Sequence, residues 1–230
     1  MNLVIANSAY IGVFLTLGAY FAGVLLQKKC RLAIFNPLMI GIVLVIAVLL
    51  MGRIDYDVYS ESANYISYLL TPATVCLAIP LYQQIESLKK NWIAIFAGIT
   101  SGVLASLGSV LGLCLLFGFT HEQYVTLLPK SITTAIGMGI SDELGGIVTI
   151  TVAVIIITGL IGNILAENIC RLFKIDEPIA KGIAIGTSSH AMGTAKAIEI
   201  GEIEGAMSSL SIAVSGLITV VGAMIFANFM

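Results

Sequence analysis

Residues that could do chemistry are few in this chain, and they gather in two stretches. The first is Leu128-Pro129-Lys130-Ser131-Ile132-Thr133-Thr134-Ala135. Proline removes a backbone donor and keeps its predecessor out of helix. A break at Pro129, with a half-helix starting near Ser131, would leave free N–H groups at the positive end of a helix dipole. Lys130 adds a full charge and three donors, and Ser131, Thr133 and Thr134 add hydroxyls. Such a cluster suits an anion, above all a carboxylate. In the plainer alternative Lys130 snorkels to an interface while the threonines bond to backbone carbonyls.

The second stretch runs from Gly182 to Lys196, with small residues at 182, 184, 186, 188, 189, 191, 193 and 195. They let backbones approach or leave room for a ligand. Read as a continuous helix, it puts Thr187, His190 and Thr194 on one face by i+3 and i+4 spacing, with Ser189 beside the histidine. A histidine inside a membrane can carry a proton near neutral pH, and an ionisable group there is a functional hypothesis by default. The plainer alternative is a structural His190 bonded to a hydroxyl. Acidic residues follow each stretch: Asp142 and Glu143, then Glu199, Glu202 and Glu204. Glu143, Glu199 and Glu202 are candidates, with His190, for proton coupling. Against that, carboxylates often cap helices or lie in headgroup-level loops. Ser208, Ser209 and Ser211 could line a polar cavity or bond within their own helix.

Enzyme readings fit poorly. Gly137-Met138-Gly139 with Asp142 lacks the spacing and the partner Asp of an intramembrane aspartyl protease. Adjacent Ser189 and His190 point different ways on a helix, so they form no nucleophile–base pair. No P-loop and no metal-binding HExxH or Cys/His pattern occurs, so neither cofactor nor metal is expected. Cys30, Cys76, Cys114 and Cys170 are scattered and read as small apolar residues.

The elements that must position these residues are membrane helices. The chain has 230 residues, 58% hydrophobic and 10% charged, against about 25% charged in soluble domains. Its mean hydropathy is +1.04. No Asp, Glu, Lys or Arg occurs in 1–27, 32–52, 62–85, 91–121, 144–166 or 205–230. About 20 apolar residues cross a bilayer as helix, so each gap is long enough. Net charge is −2, which gives no basic surface for nucleic acid. The N-terminus lacks the basic region of a signal peptide, so the first apolar stretch is expected to be retained.

The fold class expected is all-α, a polytopic transmembrane bundle with broken or re-entrant helices. Lys28, Lys29 and Arg31 place the end of the first span in the cytoplasm. A second span near 33–52 returns. The stretch 62–85, interrupted by Pro72 and Pro80, is expected as a broken crossing ending at Lys89 and Lys90. The span 91–118 carries Gly98/Gly102 and Gly108/Gly112, a small-residue face for another helix. Arg171, Lys174 and Lys181 follow the span 146–166 and draw that end inward. The segment 121–145 must then start and end outside, as a re-entrant hairpin; a full crossing is the alternative.

An offset of 57 residues aligns Leu70, Pro72, Ala78, Ile79, Glu86 and Gly102 with Leu127, Pro129, Ala135, Ile136, Glu143 and Gly159. A second step brings Gly159-Leu160-Ile161 onto Gly216-Leu217-Ile218. Repeats with helices broken at matching positions mark the binding sites of secondary transporters. The chain is therefore expected to be one integral membrane domain over 1–230. Scaffold helices occupy 1–60, and a repeat-containing region 62–230 holds the polar segments 121–145 and 178–203.

The chain resembles the LrgB/CidB family, also called antiholin-like proteins. The resemblance rests on Leu128-Pro129-Lys130-Ser131 with Thr133-Thr134, on Gly186-Thr187-x-Ser189-His190-Ala191-x-Gly193-Thr194-Ala195, on Glu199-x-Gly201-Glu202-x-Glu204-Gly205-Ala206 and on Ser208-Ser209-Leu210. Ala135 stands where the family pattern has proline, and Lys196 where arginine is common. The resemblance implies a multi-pass protein of the bacterial inner or plasma membrane, acting with a smaller LrgA/CidA-type membrane protein. It implies one of two functions. One is carriage of small monocarboxylates of the pyruvate, lactate or glycolate class, as in the similar chloroplast glycolate/glycerate carrier. In that reading Lys130, Ser131, Thr133, Thr134, Thr187, Ser189, His190 and Thr194 bind the substrate. The other is regulation of murein hydrolase export and cell lysis without transport. The small-residue faces also suit a homodimer.

Overall fold

A computed structural model describes residues 10–30, 36–69, 72, 75, 76 and 78–230. The described chain is helical throughout and separates into two compact units, Met1–Cys76 and Leu77–Met230.

In the first unit, α1 (Ile11–Cys30) and α2 (Pro37–Gly52) run antiparallel. Gly23 backs onto Pro37 and Gly41 onto Tyr20, so the glycines let the two backbones touch. α2 starts where Asn36 caps it, its Oδ1 accepting from Leu38 N at 2.9 Å, with Pro37 at the first helical position. At 16 residues it is shorter than a full crossing, whereas α1 is long and apolar enough to span. The short α3 (Tyr56–Ala63) and a 3-10 turn (Asn64–Leu69) complete the unit. Ser62 Oγ accepts from Gly12 N at 3.0 Å and fastens α3 to α1. Arg31 lies outside the described residues, as do several positions of the expected broken crossing 62–85. Of that crossing, the 3-10 turn and α4 (Ala78–Gln83) are described.

The second unit is built on α5 (Ile85–Phe117), α8 (Val148–Leu172) and α10 (Glu202–Phe226), each long and apolar enough to cross a bilayer. α5 bends at Asn91, whose φ/ψ leaves the helix and whose Nδ2 donates to Ser87 O at 3.0 Å. Between the spans lie α6 (His121–Leu127), α7 (Thr134–Glu143) and α9 (Pro178–Ile200). None of these three is a crossing.

The segment 121–145 goes in and comes back. Ile147 N donates to Thr126 Oγ1 at 2.8 Å, so the chain returns to the level at which it left. Thr151 of α8 donates to Thr126 O at 2.9 Å and is also hydrogen-bonded to Ser141 Oγ at 2.7 Å, joining both arms to the next span. This is the re-entrant hairpin that the charge bias favoured. Its second helix begins at Thr134, three residues later than expected, because residues 128–133 form the turn.

The segment 178–200 also reverses. His190 adopts φ 42 and ψ −139, which no helix tolerates. Before it, Gly182 lies on Glu204 and Gly186 on Ser208, so the first arm runs parallel to α10. After it, Thr194 meets Ser208 and Gly205 meets Ile198, so the return arm runs antiparallel to α10. Gly193 packs on Ser189 and Ile185 between the arms. The expected single face through Thr187, His190 and Thr194 is therefore corrected: the reversal puts Thr187 and Thr194 on different arms.

The two hairpins enter from opposite ends. The first starts where Tyr124 Oη donates to Phe226 O at 2.9 Å, at the far end of α10. The second starts beside the beginning of α10. The end holding Lys89, Lys90, Arg171, Lys174 and Lys181 is the one the positive-inside rule assigns to the cytoplasm, and the other carries His121, Glu122, Asp142 and Glu143. Side chains facing outward are apolar: Phe14, Leu25, Leu116 and Leu217 are each more than two-thirds exposed. Ser141, Thr151, Thr194, Ser208, Ser211 and Ser215 are instead fully buried. A polar interior inside an apolar coat is the arrangement for lipid, where each polar group must be satisfied within the protein.

Candidate functional site

The hairpin turns bring their polar residues to mid-bundle. Gly186 is level with Ser208, the seventh residue of α10. His190, four residues on, therefore reaches about 15 Å along a helix of roughly 37 Å. The turn of the first hairpin comes from the other side. Ser131 and Thr187 line one small cavity together with Ser106 and Val103 of α5, Leu128 and Thr219 of α10. Its volume of about 10 Å³ holds at most a single water.

Lys130 provides the charge here. Its Nζ donates to Ser131 Oγ at 2.9 Å, and Ser106 Oγ donates to the same oxygen at 3.0 Å. The two salt bridges among the described residues both use Lys196, so no carboxylate neutralises Lys130. A half-buried ammonium held by a serine alone keeps donor capacity in hand. Thr133 and Thr134 open α7 half-buried, and their hydroxyls make no hydrogen bond among the described residues.

Around the second turn the partners differ. His190 is 3% exposed, and its Nε2 lies 3.0 Å from Ile155 O of α8. A carbonyl only accepts, so Nε2 carries the hydrogen. Gly159 leaves the space the ring needs: a Cβ there would lie 2.7 Å from Nε2. Ser189 packs into Gly162 and shares a 3.0 Å hydrogen bond with Ser188. Asn163 Nδ2 donates to Met192 O at 2.6 Å, and Lys196 pairs with Glu167 at 2.7 Å. The return arm is thus fastened to α8 along its length. Thr194 shares a 2.7 Å hydrogen bond with Ser208 of α10.

Of the residues expected in the site, Ser131 and Thr187 line one cavity, and Lys130 reaches it through its hydrogen bond to Ser131. Ser189, His190 and Thr194 belong to the adjoining turn, bonded to α8 and α10. Glu143, Glu199 and Glu202 are exposed at helix ends, apart from both turns, and Glu199 pairs with Lys196 at 3.3 Å. Ser106 and Thr219 were not singled out from the sequence. Thr219 had a signal: Glu204, Ser208, Ser211, Ser215 and Thr219 recur at helical spacing on one buried face of α10. Ser106 had none beyond its place in a glycine-rich span. That span also divides in function. Gly98 and Gly102 seat Ile183 and Thr187 of the second hairpin, while Gly108 and Gly112 face open space.

No solved structure matches the chain. Antiholin-like protein LrgB of Bacillus mycoides (strain KBAB4) is 38% identical over 221 residues, 96% of each chain. The proteins of the same name from Bacillus cereus (strain B4264) and Bacillus anthracis (strain CDC 684 / NRRL 3495) match to the same extent. The LrgB-like family model matches residues 16–229. The chain belongs to the LrgB-like family, as a multi-pass protein of the cell membrane.

Proposed function

We propose that this protein is a secondary carrier for a small monocarboxylate. The observation that carries the reading is Lys130: a cation without a counter-carboxylate, at the turn of one re-entrant hairpin where it meets another. Opposed broken helices that meet near the midplane are the build of secondary transporters, and their half-helix N-termini face anionic groups. In this reading Lys130, with the N-terminal turn of α7, takes the carboxylate. Ser131, Thr187, Ser106 and Thr219 take its remaining oxygens, and Thr133 and Thr134 offer hydroxyls from the start of α7. The cavity is too small for such a substrate, so binding requires the turns to part. Ser189, His190 and Thr194 hold the second turn in shape, and His190 is also the candidate proton site. Hairpins and following spans repeat at 57 residues, and we read them as two copies of one unit in opposite orientation. α7 (134–143) corresponds to 191–200, and Thr151 to Ser208, each fastening a hairpin to the next span.

The test is uptake of labelled pyruvate, lactate and glycolate into proteoliposomes, with and without an LrgA/CidA-type partner. Saturable uptake that Lys130→Ala removes supports the carrier. The names of the relatives favour a second reading, an antiholin-like regulator of lysis without transport. That reading expects no uptake, and an effect on lysis that Lys130→Ala leaves intact.

A further inference from the structure

A polar cleft of about 400 Å³ opens at the cytoplasmic end, lined by Glu167, Cys170 and Arg171 of α8 and by Lys181 and Glu199 at the base of the second hairpin. The 57-residue correspondence relates this place to one at the opposite end. Lys181 corresponds to Tyr124, Cys170 to Ala227 and Ile169 to Phe226. There the related elements are in contact. Tyr124 is fully buried and its hydroxyl donates to Phe226 O at 2.9 Å, with Ala223 and Ala227 buried beside it. The same junction, base of one hairpin against the end of the other unit's span, is open at one end and shut at the other.

We propose that the cleft is the cytoplasmic mouth of the access path, that the Tyr124–α10 junction is the closed outer gate, and that the two exchange states. The inference rests on the carrier reading. Two inverted copies of one unit can each adopt the other's arrangement, and the exchange moves the opening from one side to the other. The mixed charges of the mouth, Arg171 and Lys181 against Glu167 and Glu199, keep it wetted. Two hydrogen bonds cross the outer junction, that of Tyr124 and one between the exposed His121 Nδ1 and Met230 O at 2.7 Å; Tyr124 makes its bond from a fully buried position, and its loss biases the balance.

Cys170 is buried, so Lys181, half-buried on the lining, is the reporter position of the mouth. With all four native cysteines replaced by alanine, Lys181→Cys is treated with a membrane-impermeant charged maleimide in inside-out and right-side-out vesicles. It should react from the cytoplasmic side only. Tyr124→Phe keeps the packing and loses the hydrogen bond, which shifts the balance about fivefold. Labelling at Lys181→Cys should then fall, and Ala227→Cys should become reactive from outside. As a second route, Lys181→Cys with Cys170 retained should form a disulfide on oxidation, which requires the mouth to close. That closure should also expose Ala227→Cys. Unchanged labelling in both variants shows a fixed surface groove and overturns the proposal. So does a rise at both ends together, which reports a loosened fold. Labelling is read without any solute, so opposed changes with no uptake retain the gating and refute the carrier.

Discussion

An ammonium group inside a helix bundle is costly when it lacks an opposite charge, because desolvation is only partly repaid by neutral donors and acceptors. Lys130 carries that cost with Ser131 as its bonded partner, and an anion would repay it. Lys130→Ala should therefore abolish saturable uptake while leaving the protein folded, as judged by its elution in detergent. Unaltered uptake would sink the proposed role. Ser106→Ala removes the second donor to Ser131 and should raise KM several-fold with a smaller effect on the maximal rate. His190 stands on different ground. Its φ of 42 is rare for a residue with a Cβ and costs about 1–3 kcal/mol, met here by the Ile155 carbonyl and by the space at Gly159. The Thr194–Ser208 pair should show coupling in thermal unfolding. Thr194→Val alone should cost about 1 kcal/mol by leaving the buried Ser208 hydroxyl unpaired, Ser208→Ala less because Thr194 Oγ1 still donates to His190 O at 3.0 Å, and the double variant less than the sum.

At the level of elements, the hairpins are held by small residues on the long spans. A Cβ on Gly162 would collide with Ser189, and none fits at Gly159 beside the His190 ring. Gly162→Ala should destabilise the protein by about 1–3 kcal/mol, through displacement of the second hairpin. Gly108→Ala, on the same kind of helix but facing nothing within 4 Å, should be neutral or slightly stabilising. Equal Tm values for the two variants would contradict this assignment of the glycines. Sequence alone presents both as small residues in apolar spans. Which of them matters depends on what lies opposite, and that is a property of the packed bundle.

For the molecule as a whole, the placement of basic residues and the hairpin geometry agree on orientation. Lys174, in the turn after α8, should be cytoplasmic. Lys174→Cys should react with an impermeant thiol reagent only from that side, and labelling from outside would exclude the re-entrant form of 121–145. The outward-facing surface carries bulky apolar side chains and the interior carries hydroxyls. An all-helical bundle with its backbone satisfied within each segment meets the demand of hydrocarbon surroundings.

The sequence by itself determined the solvent, the helical class and the two polar segments. The long charge-free gaps call for lipid surroundings, where four of the described helices are long and apolar enough to cross, and Pro129 with Lys130 interrupts a uniform span. The basic residues also chose the hairpin over a crossing at 121–145. Tertiary structure decided the rest. The run 178–200 has good helical spacing, and nothing local marks His190 as a reversal. The bend is fixed by Ile155, Gly159 and Asn163 of α8 and by Ser208 of α10, all distant in sequence. Convergence of Ser106, Ser131, Thr187 and Thr219 likewise needs four elements packed together. Spacing along a chain reports which residues share a face, but contacts between faces arise from packing, and those contacts are what build the site.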